Sequence, residues 1–211
     1  MFTDRQQAAA QLLQALAGYR GQQPLVLGIP RGAVPMARQI ADGLQGELDV
    51  VLVRKLGAPW SPELAIGAVD ESGAVYLDAL AASIDPGYIR EETQRQLAVI
   101  RQRRASYTPV RAAVPVAGRL VIVVDDGLAT GATMLAALQA LRRQQPARLV
   151  CAVPVAPADT LRRVRQVADT VVCLQVPHGF SAVGQFYRHF EQVSDDEVMA
   201  ALASPPPPHP R

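Results

Sequence analysis

The run Leu120-Val121-Ile122-Val123-Val124-Asp125-Asp126-Gly127-Leu128-Ala129-Thr130-Gly131-Ala132-Thr133 joins an apolar strand pattern to a helical one. A helix start presents unpaired amides and the positive end of its dipole, which suits an anion such as a phosphate. Gly127 and Gly131 permit close approach to the backbone, and the Thr130 and Thr133 hydroxyls add donors. Two adjacent carboxylates beside an anion repel it unless something between them needs acceptors or carries positive charge. A ribose diol and a magnesium ion supply both. The segment has neither the Gly-Lys-Ser/Thr ending of a P-loop nor the Gly-x-Gly-x-x-Gly of a dinucleotide fold. The same residues also read as a solvated Asp-Asp-Gly turn that caps a helix.

Two further segments have related chemistry. Gly28-Ile29-Pro30-Arg31-Gly32-Ala33-Val34-Pro35 joins an apolar run to a helix start, with cationic Arg31, the amides of Gly32 and Ala33, and Pro35 suited to the first turn. Val51-Leu52-Val53-Arg54-Lys55-Leu56-Gly57 places Lys55 at the expected end of a second strand. Lys55 is the single lysine among 21 basic residues. A compact ammonium on a flexible stem does work that a planar guanidinium does not duplicate, so its position draws notice. If all three segments end strands of one sheet, they converge on one polyanion.

The elements that must position these residues follow from the alternation of short apolar runs with helical patterns. Strands are expected at Pro24 to Gly28, Leu48 to Val53, Leu120 to Val124, Leu149 to Val155 and Val171 to Val176, and helices at about 4–17, 33–44, 86–106, 132–143 and 157–167. This order predicts an α/β fold with a mainly parallel twisted sheet flanked by helices. Asp85 and Pro86 supply an N-cap and a first-turn proline for the third helix. The stretch Leu56 to Ser83 breaks the rhythm with glycines and prolines, and reads as a long mobile loop carrying a hairpin with its turn near Glu71 to Gly73. The tail Ser204 to Arg211 holds five prolines and reads as a disordered end.

The whole chain sets the outer bounds. With 211 residues, 49% of them hydrophobic, it is long enough for one packed domain, taken as 1–203. Leu149 to Ala158, its longest mostly apolar stretch, is too short and too interrupted by proline to span a membrane, and the start carries no apolar leader pattern. A cytoplasmic location follows as an expectation. Cys151 and Cys173 sit in apolar runs and read as buried free thiols, and the three histidines lack metal-ligand spacing. The net charge of +2 does not argue for nucleic acid.

Taken together these segments resemble the type I phosphoribosyltransferase family, and more closely a subgroup described only as predicted phosphoribosyltransferases. The likeness runs from about Asp4 to Leu202. It implies transfer of the 5-phosphoribosyl group of 5-phosphoribosyl 1-pyrophosphate (PRPP) to a nitrogen acceptor, with release of pyrophosphate and with Mg2+ held through PRPP rather than by protein ligands. By this resemblance Asp125, Asp126, Gly127, Ala129, Thr130, Gly131, Ala132 and Thr133 bind PRPP together with Arg31, Gly32 and Lys55. Catalysis falls to Arg31, Lys55, Asp125 and Asp126. Residues 176–203 resemble the hood over the acceptor, with Phe180 as the stacking ring and Val183 beside it, and Pro62-Glu63 lies in the subgroup's version of the mobile catalytic loop. Family members commonly pair, so a homodimer is implied.

One departure bears on the acceptor. Hypoxanthine-type members carry an acid where this chain has Ala129, and Ala129-Thr130-Gly131 is more like the adenine-type motif, while the hood is not. The acceptor stays open on this reading. A competing reading is a PRPP-sensing or RNA-binding regulator on the same fold, for which Arg90, Arg95, Arg101, Arg103, Arg104 and Arg111 would form the basic face. A solvated helix face balanced by Glu91 and Glu92 is the simpler account of those arginines.

Overall fold

The computed structural model describes residues 1–110 and 112–203, with the Glu63 side chain excepted. Five strands, β1 (Leu25–Gly28), β2 (Glu47–Val50), β6 (Leu120–Val124), β7 (Arg148–Val155) and β8 (Thr170–Gln175), form a parallel sheet in the order β2-β1-β6-β7-β8. Its central strands are buried on both sides, which is why they read as continuous apolar runs rather than alternating ones. Successive side chains nevertheless go to opposite faces. Val26, Ile122, Val124 and Val150 pack with α1 (Arg5–Ala15) and α2 (Val34–Leu44), while Leu27, Val121, Val123 and Cys151 pack with α4 (Ala132–Arg143) and α5 (Ala158–Val164).

The connections create a crevice. From β1 the chain passes through α2 to β2 on one side; from β6 it passes through α4 to β7 on the other. β1 and β6 are neighbours, with Gly28 opposite Val124 at their carboxyl ends. Loops leaving these two strands therefore diverge, and open α/β sheets bind ligands at such a switch point.

The segment expected to be a long loop differs. The run read as one strand to Val53 is two: β2 ends at Val50, and β3 (Val53–Ala58) opens a second, antiparallel sheet with β4 (Ser61–Asp70) and β5 (Val75–Leu77). Lys55 thus sits within β3, paired with Ala68, and does not end a strand of the main sheet. The expected hairpin turn is present, held by Asp70, whose carboxylate accepts from Ser72 N, Ser72 Oγ, Ala74 N and the Tyr76 hydroxyl. The long helix α3 (Pro86–Tyr107) starts at the Asp85 cap, which accepts from Tyr88 N at 2.9 Å, and braces the small sheet: Tyr88 donates to Gly57 O and Arg54 to Gln96. Arg104 ties α3 to Glu71 and to buried Asp49.

The last described helix, α6 (Asp195–Ala203), packs on α2. Before it, the chain returns to the start of the protein, where Arg188 N donates to Phe2 O and His189 N to Thr3 O. Among the described residues no helix is long and apolar enough to cross a membrane. The tail 204–211 and Arg111 lie outside the described residues.

Candidate active site

The turn from β6 into α4 ends at Gly131, whose φ of 73° is left-handed and which has no side chain to cap α4; the Thr130 hydroxyl accepts from Ala132 N at a long 3.4 Å. The loop is held from behind by α5. Thr160 Oγ1 donates to Ala129 O at 2.7 Å, and Arg163 donates to Thr130 O. Both loop carbonyls are thus turned toward α5. A cavity of about 190 Å³ is left in front, lined by Asp125, Gly127, Leu128, Ala129, Thr130, Gly131, Ala132, Thr133, Met134 and Val183. Its floor is the helix start, and its one ionisable lining group among the described residues is Asp125.

The two acids have different surroundings. Asp125 accepts from Asp126 N at 2.9 Å, and burial, then the neighbouring Asp126 charge, pushes its carboxyl well above the ordinary range. Burial raises Asp126 as well, but the Arg5 guanidinium opposes that rise with contacts of 2.9 Å from Nε and 2.8 Å from Nη2. With a cation on one carboxylate only, Asp125 is the acid pushed further above the ordinary range. Arg5 is itself fixed: it lies over the Phe190 ring at 3.8 Å and donates to Glu191 O, while the Tyr187 hydroxyl donates to Asp126 O at 2.6 Å. Asp126 also faces the first loop, since a Cβ on Gly32 would fall 2.2 Å from Asp126 Oδ2. No larger residue fits there without moving that carboxylate.

Arg31, in the first loop, is half-buried and reaches Asp195 on α6 at 3.5 Å. It does not line the cavity of the phosphate-type loop. Lys55, brought in from the small sheet rather than the main one, lines a second cavity of about 210 Å³ with Pro30, Arg54, Arg103 and Thr133. Thr133 lines both cavities.

On the other side of the loop, Val183 enters the first cavity, and Phe180 packs against Phe186 with ring centroids 5.2 Å apart. The Glu63 side chain lies outside the described residues. On α3, Arg95 pairs with Glu92 and Arg104 with Glu71 and Asp49, Arg90 and Arg101 stay exposed, and Arg103 turns inward. Two larger hollows, about 430 and 760 Å³, lie at the β4–β5 turn and along the end of α3; they share Glu71 and Arg104, which are already paired.

Sequence reasoning missed Arg5, Thr160 and Arg163. Arg5 left one signal: it is the first residue of α1, where a cation opposes the helix dipole, and such a local conflict points to a tertiary partner. Thr160 and Arg163 left none, because a threonine and an arginine three positions apart on a short helix are ordinary.

A family model described as a phosphoribosyl transferase domain matches residues 2–190. Proteins of Mycobacterium tuberculosis strains CDC 1551 and H37Rv, each named "putative phosphoribosyl transferase", are 44% identical over 205 residues, which is 96% of this chain and 46% of each of theirs. The chain therefore spans about half the length of these curated relatives. The crystal structure of TT1426 from Thermus thermophilus is 46% identical, with a TM-score of 0.86 over 96% of this chain and 97% of that one.

Proposed function

The chain belongs to the phosphoribosyl transferase domain family, and from that premise we propose that it transfers the 5-phosphoribosyl group of PRPP to a nitrogen acceptor. The bond from the anomeric carbon to the pyrophosphate oxygen breaks, a bond to the acceptor nitrogen forms, and the acceptor's proton leaves to solvent. One observation carries this reading: a cavity lined by Asp125 and a cavity lined by Arg54, Lys55 and Arg103 share Thr133, in the first turn of the helix that follows β6.

Each group has a role in it. Gly127 to Thr133 hold the 5'-phosphate against the α4 start, with Thr160 and Arg163 keeping the loop in shape. Asp125 and Asp126 take the ribose hydroxyls, Arg5 holding Asp126 in place. Arg31, Gly32 and Lys55 serve the pyrophosphate, so positive charge stands where negative charge grows as the bond breaks. Arg31 would leave Asp195 to do so, and a 3.5 Å contact between half-buried and exposed groups is weak enough to allow it. Phe180 and Val183 face the acceptor, with Ala129 offering no acid to take its proton.

The site also fits magnesium carried in on the ligand. The described residues hold no cluster of three metal-ligating side chains, whereas Asp125 presents a half-buried carboxyl to the cavity as an acceptor for a cation or a hydroxyl. Bound to the phosphates, Mg2+ would supply charge that stabilises the departing pyrophosphate. The same reading carries a cytoplasmic homodimer, a setting in which Cys151 and Cys173 remain the free thiols that they are in the structure.

Pyrophosphate release from PRPP and Mg2+, measured across purines, pyrimidines and small amines, tests the proposal. Release that depends on one acceptor class supports it. Failure of every acceptor, with PRPP still bound, would leave a ligand-sensing protein instead.

A further inference from the structure

The 210 Å³ cavity is lined by three cationic side chains from two elements: Arg54 and Lys55 of β3, and Arg103 of α3. Among the described residues no carboxylate lines it. Arg103 is half-buried there and makes no hydrogen bond or ion pair with a described residue. Arg54 donates to Gln96, a neutral partner, and both desolvation and the nearby Arg103 charge lower its pKa. Like charges gathered in a recess repel one another and lose hydration, a cost that a polyanion relieves. The neighbouring arginines of α3 are placed otherwise, Arg95 and Arg104 in internal ion pairs and Arg101 in solvent. Of these arginines of α3, only Arg103 lines the cavity with Pro30 of the first loop and Thr133 of the α4 start.

We propose that Arg103 and Arg54, neither of them in the strand-end loops, line the subsite that takes the diphosphate group of the substrate and of the released pyrophosphate. This rests on the transfer reading above and extends it. The leaving group would be gripped by the small sheet and α3 as well as by the first loop. The geometry suits a diphosphate: cationic side chains come from both β3 and α3, and Thr133 is shared with the cavity that would hold the sugar phosphate.

Calorimetric titration with inorganic pyrophosphate, and separately with ribose 5-phosphate, tests it on the full chain. Arg103→Gln is expected to weaken pyrophosphate about tenfold or more, as expected for a lost charge-assisted contact. It should leave ribose 5-phosphate within about twofold, and Arg101→Gln, which removes the same charge from an exposed position, should change neither. Arg103→Lys, which keeps the charge, should recover part of the loss and serves if the glutamine variant folds poorly. Pyrophosphate binding in Arg103→Gln equal to wild type, or an equal loss in Arg101→Gln, overturns the subsite. The two readings fail separately. Selective loss of pyrophosphate with no turnover on any acceptor would sink the transfer reading and keep the subsite; turnover with an unaltered Arg103→Gln would do the reverse.

Discussion

Loss of hydration and their mutual repulsion make two full charges on Asp125 and Asp126 costly, so the unliganded protein pays for holding them. The sign of the effect follows from the raised carboxyl of Asp125. A folded-state pKa above the unfolded value of about 3.9 means that the folded chain keeps a proton the unfolded chain releases. That contribution is fully present below about pH 3.9 and is lost as pH rises through the folded value. Asp125→Asn removes the cost while its side-chain oxygen can still accept from Asp126 N. Melting curves should therefore show the unliganded variant more stable than wild type at pH 8, by a few degrees, since each kcal/mol is worth about 2–4 °C at this size. The gap should close toward pH 4. A constant gap across that range would mean that the carboxyl is not the titrating group.

Arg5 is the complementary case. With both side chains 15% exposed, removing the guanidinium leaves a nearly buried carboxylate uncompensated, a loss of up to roughly 3–5 kcal/mol when burial is complete and less here. Arg5→Ala should lower both stability and PRPP affinity, and lowering the pH should recover stability as Asp126 takes up a proton. Arg5→Lys should restore part of both. Stability unchanged in Arg5→Ala would remove Arg5 from its role. Of these residues the acids were legible in sequence because they sit in a strand-turn-helix unit with its own chemistry. The partner of Asp126 was not, since 121 positions separate the two and no local pattern links them.

At the scale of elements, the phosphate-type loop is only as good as its support. Thr160→Val deletes the 2.7 Å hydrogen bond to Ala129 O at nearly constant shape. One such bond is worth about 0.5–1.5 kcal/mol, so ribose 5-phosphate affinity should fall about two- to tenfold, with a melting temperature within a few degrees of wild type. An unchanged affinity would show that the loop holds its form without α5. The loop itself was legible: β6 and α4 occupy 120–124 and 132–143, the ranges that apolar run and helical period predict. The small sheet was not. Val51 and Leu52 are buried at both the end of β2 and the approach to β3, so an unbroken apolar run conceals where the hydrogen-bond partner changes. The glycines and prolines of 57–67 resemble loop punctuation, but here they accompany register shifts between Leu56, Gly57 and Ala58 in a bulged antiparallel pair. Lys55 lines the cavity beside Pro30 and Thr133 all the same, by a route that periodicity could not trace.

For the whole molecule, the proposed function rests on one topological fact: the chain leaves β1 and β6 in opposite directions, and the loops that follow these two strands contribute to the two cavities assigned above to the ligand. A ligand that binds only this folded arrangement must stabilise it, by about 2.7 kcal/mol at one hundred times its Kd. The most direct measurement is calorimetric titration of PRPP with Mg2+ into the wild-type chain and into the Asp125→Asn/Asp126→Asn variant, after melting curves have shown the variant folded. Saturable binding by wild type and none by the variant is the predicted result; equal affinity in the two would contradict the assignment of the acidic pair to the ribose.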